Sequence, residues 1–198
     1  CVKHKVNLGI FGPGEVPAFL AQLDTSCVAN ITRSILEQSD LLIAYASGSS
    51  GISARWVSPH AIFRSSGKWY FRAYCHKNKE FRSFIFGRVL KVTDCRKRTT
   101  QAKSKLDTQW TTLVNLTLAP HTRSLHPETL RIDLGLKDES VRNIRTTEAL
   151  AGFVLNELRV DCSAGGNLDP NVYNLQLMNR KEVSGVSSMP LAPGFTSH

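Results

Sequence analysis

The sequence predicts an α+β fold, with a small curled β-sheet or barrel in the first half and a mixed α+β unit in the second. Three observations carry this. Residues 40–92 are short apolar runs separated by turn-forming clusters such as Ser47–Gly51 and Ser65–Gly67, the pattern of consecutive antiparallel strands. Residues 111–182 switch between strand and helix periodicity, the pattern of an α+β unit. The 198 residues, 41% hydrophobic and 21% charged, suffice for one large domain or two small ones and argue against wholesale disorder.

The elements follow in order. Residues 1–24 contain Gly9, Gly12, Pro13, Gly14 and Pro17 and read as a connector. Thr25 or Ser26 caps a short helix with Val28, Ile31, Ile35 and Leu36 at helical spacing, ending near Ser39. Strands are expected at 41–45, at 52–63 with Pro59 marking an edge or bend, at 68–76, and at 81–92. Residues 93–110 are polar and basic and read as a linker. A strand at 112–118 follows, then a helix opening at His126-Pro127. A turn and short strand at 137–145 come next, then a helix capped by Thr146 or Thr147, and a last short strand near 173–177. The Ser-, Gly- and Pro-rich residues 184–198 read as a loose tail.

Charge is concentrated. The formal net charge is +9, and residues 41–98 hold 12 basic against 2 acidic residues. The flanking segments are nearly neutral. Such a block attracts a polyanion or a phosphorylated ligand, or else forms a solubilising face. Its arginines are interleaved with Tyr45, Trp56, Trp69, Tyr70, Tyr74, Phe84 and Phe86. In the strand 68–76, alternation puts Lys68, Tyr70, Arg72, Tyr74 and His76 on one face and Trp69, Phe71, Ala73 and Cys75 on the other. The second face is core-like. The first is basic and aromatic, suited to phosphates and stacked bases. The plainer alternatives are barrel packing for Trp69 and Phe71, and solvated charges for Arg72 and Arg82.

Other chemistry is excluded or unsupported. No apolar run reaches the roughly 18–20 residues of a membrane-spanning helix. The five cysteines are odd in number and widely spaced, without a C-x-x-C pair, so neither disulfide framework nor zinc site is supported and a reducing cytoplasm fits. His121 and His126 read as turn histidines beside Pro120 and Pro127. No phosphate loop, dinucleotide fingerprint or nucleophile elbow occurs, so no enzyme and no cofactor are expected. The chain begins at Cys1 rather than Met and is expected to be a fragment.

Four segments together carry a resemblance: Tyr45-Ala-Ser47; Arg55-Trp-Val-Ser-Pro-His60; Gly67-Lys-Trp-Tyr-Phe-Arg-Ala-Tyr-Cys75; and Phe81-Arg-Ser-Phe-Ile-Phe-Gly-Arg88. In order and spacing they resemble the WYL domain of bacterial transcription regulators, with Phe71 where the naming tripeptide has Leu. Leu118-Ala-Pro-His121, Thr146-Thr-Glu-Ala-Leu150 and Leu175-Gln-Leu-Met-Asn179 resemble the C-terminal extension of such regulators, closest to the branch that controls phage-defence operons. The resemblance implies an SH3-like, Sm-like barrel at 40–95 after a connector and helix at 1–39. It further implies a linker at 96–110, a ferredoxin-like dimerising extension at 111–182 and a flexible tail at 183–198. It implies a single-stranded nucleic acid or nucleotide effector, a homodimer, no membrane, and operator DNA bound only through a helix-turn-helix domain absent from this chain. The ligand residues it implies are Tyr45, Ser47, Arg55, His60, Arg72, Tyr74, Arg82 and Arg88. A stand-alone nucleic-acid-binding module using the same basic surface is the alternative.

Overall fold

The computed structural model describes residues 23–136 and 139–196. The connector expected at 1–24 therefore falls, up to residue 22, outside the described residues. The first helix, α1 (Thr25–Glu37), is capped by Asp24, whose carboxylate accepts the backbone N–H of Ser26 at 2.8 Å and of Cys27 at 3.1 Å. An N-cap carboxylate satisfies helix donors that have no partner within the helix. Thr25 and Ser26, expected as caps, lie just inside. Cys27, Ile31 and Ser34 face the protein, while Leu36 points to solvent.

Five strands follow: β1 (Ser39–Ser47), β2 (Gly51–Ser65), β3 (Lys68–Cys75), β4 (Glu80–Ile85) and β5 (Val89–Lys97). They form one antiparallel sheet in the order β4-β3-β2-β1-β5. β4 and β5 are its two edges and do not pair, so the sheet is not a closed barrel. The register of β2 against β3 slips between Pro59 and Ala61. Proline has no N–H to give to a ladder, and a bulge accommodates it. The strand expected at 81–92 is split by a 3₁₀ turn at Phe86–Arg88. Ile31, Ile43, Val57, Phe71, Ala73 and Cys75 are fully buried and form the core between α1 and the inner sheet face.

The segment read as a linker is ordered. β5 runs through Lys97, two single 3₁₀ turns follow, and α2 (Thr108–Thr111) ends it. The strand was hidden because an edge strand with both faces largely exposed carries charges rather than alternation. The second sheet has the order β7-β6-β9-β8, built from β6 (Leu113–Pro120), β7 (Arg142–Thr147), β8 (Val160–Asp161) and β9 (Leu175–Leu177). α3 (Pro127–Asp133) lies between β6 and β7, and α4 (Glu148–Glu157) follows β7. Leu116, Leu118, Ala151, Leu155, Val160 and Met189 are buried in a second core.

The tail is not loose. Val183, Val186, Met189 and Ala192 are buried in the second core, against α4 and its sheet. Gly152 on α4 makes this contact fit: a Cβ there would lie 1.9 Å from the Ser188 carbonyl oxygen. Its N–H donates to Ser188 Oγ at 3.0 Å.

The two sheets meet through an aromatic cluster. Phe63 on β2 stacks on Tyr70 of β3 at 5.0 Å, and both rings meet the edge of Phe153 on α4 at 5.1 Å. Ser66 N–H, at the β2–β3 turn, donates to Glu157 of α4 at 2.9 Å.

Candidate functional site

The two faces of β3 divide as its alternation predicts. Phe71, Ala73 and Cys75 are fully buried in the first core. Trp69, expected on that face, lies at the end of the strand and stays half-exposed. The opposite face, carrying Tyr70, Arg72 and Tyr74, is not open to solvent along its length. The 104–111 segment and α4 lie across it.

Between that face and the second unit runs a groove of about 580 Å³. On one wall stand Tyr45, Tyr70, Arg72, Arg82, Ser83 and Arg88; the other is made by Gln109, α4 at Ala149 and Phe153, and the 187–191 segment. A groove of that size falls within the range of small-ligand pockets. Of the residues expected at a ligand site, Tyr45, Arg72, Arg82 and Arg88 are thus brought to one groove. Tyr45 packs its ring on Phe84, and its hydroxyl accepts the Ile85 N–H at 3.1 Å, which leaves the hydroxyl proton available. Arg82 is half-exposed and, among the described residues, its ion-pair partner is the equally exposed Glu80, at 3.3 Å. Such a pair is held weakly in water. Arg88 is exposed, in the turn after β4, and has no carboxylate partner among the described residues. Tyr70, Glu80, Phe81, Ser83 and Ile85 also line the first wall, and Gln109 faces them. Gln109 escaped the sequence reading because it lies beyond the basic block.

The remaining expected residues are elsewhere. Ser47 ends β1 at the Ser-Gly-rich turn, where its Oγ lies 3.3 Å from Ser49 Oγ. Arg55, directly across the sheet from Ile43, is buried. It donates to Ser53 Oγ, lies 5.2 Å over the Tyr45 ring and leaves its Nε without a partner. No carboxylate pairs with it among the described residues. Arg88 reaches toward the same turn: its Nη1 lies 3.9 Å from where a Cβ on Gly48 would stand. Tyr74 packs edge-on against His76 and Phe81 and does not line the groove.

His60 and Arg72 differ most from a free ligand-binding pair. Both are buried and both are taken by Asp107. Arg72 Nε donates to Asp107 Oδ2 at 2.8 Å and Nη2 to Oδ1 at 3.0 Å, a bidentate fork. His60 Nε2 meets the same Oδ2 at 3.0 Å, and Arg72 Nη2 also reaches Gln109 Oε1 at 2.7 Å. Burial alone would push the Asp107 carboxyl up. The hydrogen bonds and positive charges of His60 and Arg72 outweigh it and hold the carboxyl below its ordinary range. Asp107 comes from the segment read as a linker, and its partners are 35 and 47 residues away in the chain, so no local pattern signals it.

A second buried cluster gathers Asp40, Ser58 and His76. Ser58 Oγ–H donates to Asp40 Oδ1, and His76 Nε2 lies 2.8 Å from Ser58 Oγ and 3.2 Å from Asp40 Oδ2. One ring nitrogen serves both partners, whereas nucleophilic catalysis needs the histidine to hold serine and aspartate through different nitrogens. Burial lowers the His76 pKa, against the pull of Asp40. Arg96 stacks at 4.0 Å over Trp56 and approaches Asp40 at 3.4 Å. His121, expected as a turn histidine, does sit at a turn but is fully buried. Its Nε2 faces Asp161 at 3.1 Å, and its Nδ1 accepts the Arg123 N–H at 3.1 Å. Among the described residues no group of three or more His, Cys, Asp or Glu is placed to hold a metal ion. No helix among them is long and apolar enough to cross a membrane.

Comparison with known proteins divides the chain at the same point as its two sheets. Residues 26–94 match the WYL domain. Residues 113–183 match the BrxR transcriptional regulator C-terminal dimerization domain. The DNA-binding transcriptional repressor CapW of Pseudomonas aeruginosa is 30% identical over 172 residues, 85% of this chain and 56% of that protein. CapW of Escherichia coli (strain KTE188) is 27% identical over 171 residues, with the same coverage. CapW of Stenotrophomonas maltophilia is 29% identical over 163 residues, 79% of this chain and 52% of its own. The chain therefore spans about half the length of the curated relatives it matches. Among solved structures, proteasome accessory factor B/C of Arthrobacter aurescens aligns with 88% of this chain and 28% of its own. The identity is 17% and the TM-score 0.36, a likeness too loose to define the fold.

Proposed function

This chain belongs to the WYL-domain transcriptional regulators, by its WYL domain and its BrxR-type dimerization domain, and on that premise we propose that it is the effector-sensing and dimerising region of a repressor like CapW. The observation that carries the reading is the groove between the two units. It gathers two exposed arginines, Arg82 and Arg88, with Tyr45 and Tyr70, the combination that suits a phosphate-bearing, base-bearing ligand. The effector class is single-stranded nucleic acid or a nucleotide. Arg82 and Arg88 take phosphate oxygens, and the Tyr45 hydroxyl donates to the ligand. Ser47 and Arg55, at the β1–β2 end, form an extension of the site that Arg88 joins to the groove. Arg72 stands in its wall, tied together with His60 to Asp107, and Tyr74 supports the site by packing.

On this reading residues 40–95 are the sensing unit and 111–182 the dimerising unit, in the cytoplasm. A helix before five strands in the order β4-β3-β2-β1-β5 supports an Sm-like, SH3-like description of the first. A four-stranded sheet backed by α4 is consistent with a ferredoxin-like extension in the second. Operator DNA is bound by a separate domain of the complete regulator, and the ligand biases the arrangement of two such domains in a homodimer. Control of a phage-defence operon rests on the resemblance to the relatives alone.

Fluorescence anisotropy with a labelled single-stranded pentathymidylate tests the reading. The chain is expected to bind, with Arg82→Ala and Arg88→Ala each weakening binding roughly tenfold or more, the size of a lost charge-assisted contact. Undiminished affinity in both variants contradicts the site.

A further inference from the structure

One of the arginines lining the groove, Arg72, is already paired with a carboxylate of the chain, the buried Asp107, while the exposed Glu80 at the groove meets Arg82. Asp107 is the N-cap residue of α2, yet its side chain makes no capping hydrogen bond. Aspartate at that position ordinarily turns its carboxylate onto the second or third helical N–H. Here both oxygens are spent on Arg72 and His60, across the sheet boundary. Arg72 in turn lines the groove, bonded to Ser83 and Gln109. The carboxylate thus has two alternative sets of partners, the pair on the sensing sheet and the start of its own helix. Arg72 lines the groove although its side chain is only 6% exposed.

We propose that Asp107 is an intramolecular stand-in for the ligand's anion: a phosphate entering the groove takes Arg72 from Asp107, and the released 104–111 segment reports occupancy to the second unit. This rests on the reading of the groove as the effector site and adds how that site is regulated. The exchange is physically reasonable because one anion replaces another. Arg72 stays paired throughout, so a buried charge is never left alone, which is the costly outcome. The freed carboxylate regains the helix start. The segment it belongs to is the covalent link from β5 to β6, and Trp110 within it packs on His60 and Phe63. Releasing Asp107 therefore loosens the packing of Trp110 beside the Phe63–Phe153 contact.

Asp107→Asn tests this directly, because it removes the internal competitor's charge while keeping its shape. Binding of the labelled pentathymidylate to the full chain is expected to tighten about tenfold in the variant, within the range of ordinary coupling free energies. Binding by the variant alone supports the proposal equally. Equal or weaker binding by the variant, with the wild type binding, leaves the groove reading standing and overturns the stand-in. No binding by either protein overturns both. Should the variant not fold, hydrogen exchange of the wild type decides. Saturating pentathymidylate is expected to speed exchange of the amides of residues 104–111, and unchanged exchange there overturns the proposal.

Discussion

Arg72 and Arg82 stand on neighbouring strands, one ladder step apart, and their fates are opposite. Arg72 is buried and forked onto Asp107; Arg82 is half in water with an exposed partner. Removing Asp107 leaves a buried guanidinium without a counter-charge, so Asp107→Ala is expected to cost about 3–5 kcal/mol in urea unfolding. Arg82→Ala, at an exposed position, is expected to stay within about 0.5 kcal/mol of the wild type while weakening ligand binding. The pH dependence follows with its sign. The Asp107 pKa is lowered in the folded protein, so its contribution is fully present above the ordinary carboxyl pKa of about 4 and is lost as pH falls through the folded value. Asp107→Asn should therefore lose less stability than the wild type on acidification below about pH 4; parallel acid profiles would refute the assignment. Arg72 stood out in the sequence from its place in a basic, aromatic strand. Its partner did not, because burial of a carboxylate 35 residues away leaves no trace in local composition.

At the scale of elements, alternation was a reliable guide wherever one strand face met the core. Phe71, Ala73 and Cys75 went inside as period two requires. It failed at β5, an edge strand whose charges face water on both sides, and at residues 183–192. There Val183, Val186, Met189 and Ala192, at every third position, fill the core from a run of turns whose Ser, Gly and Pro content reads as coil. The contact between units was also hidden, since Phe63 and Phe153 belong to different patterns and meet only in the fold. A double-mutant cycle of Phe63→Ala and Phe153→Ala measures that contact. Aromatic pairs of this geometry are expected to couple by about 0.5–1.5 kcal/mol, and a coupling of zero would mean the units are not held together by this cluster.

For the whole molecule, the +9 charge belongs almost wholly to the first sheet, and the second unit brings the dimerization domain. Light scattering is expected to give twice the chain mass, and to lose it when residues 113–196 are removed. A full-length chain that stays monomeric at micromolar concentration would contradict a homodimer. The two-part organisation was legible from the change of periodicity and of charge after residue 98. The groove between the parts was not, because it exists only once α4 and the 104–111 segment are laid over β3. The claim that this groove senses an anionic effector is met most directly by a salt titration of pentathymidylate binding. The account predicts a dissociation constant that rises with salt, with a log–log slope near −0.7 in association constant for each phosphate contacted, and a shallower slope in Arg82→Ala and Arg88→Ala. Binding that ignores salt, or no binding at low ionic strength, would contradict it.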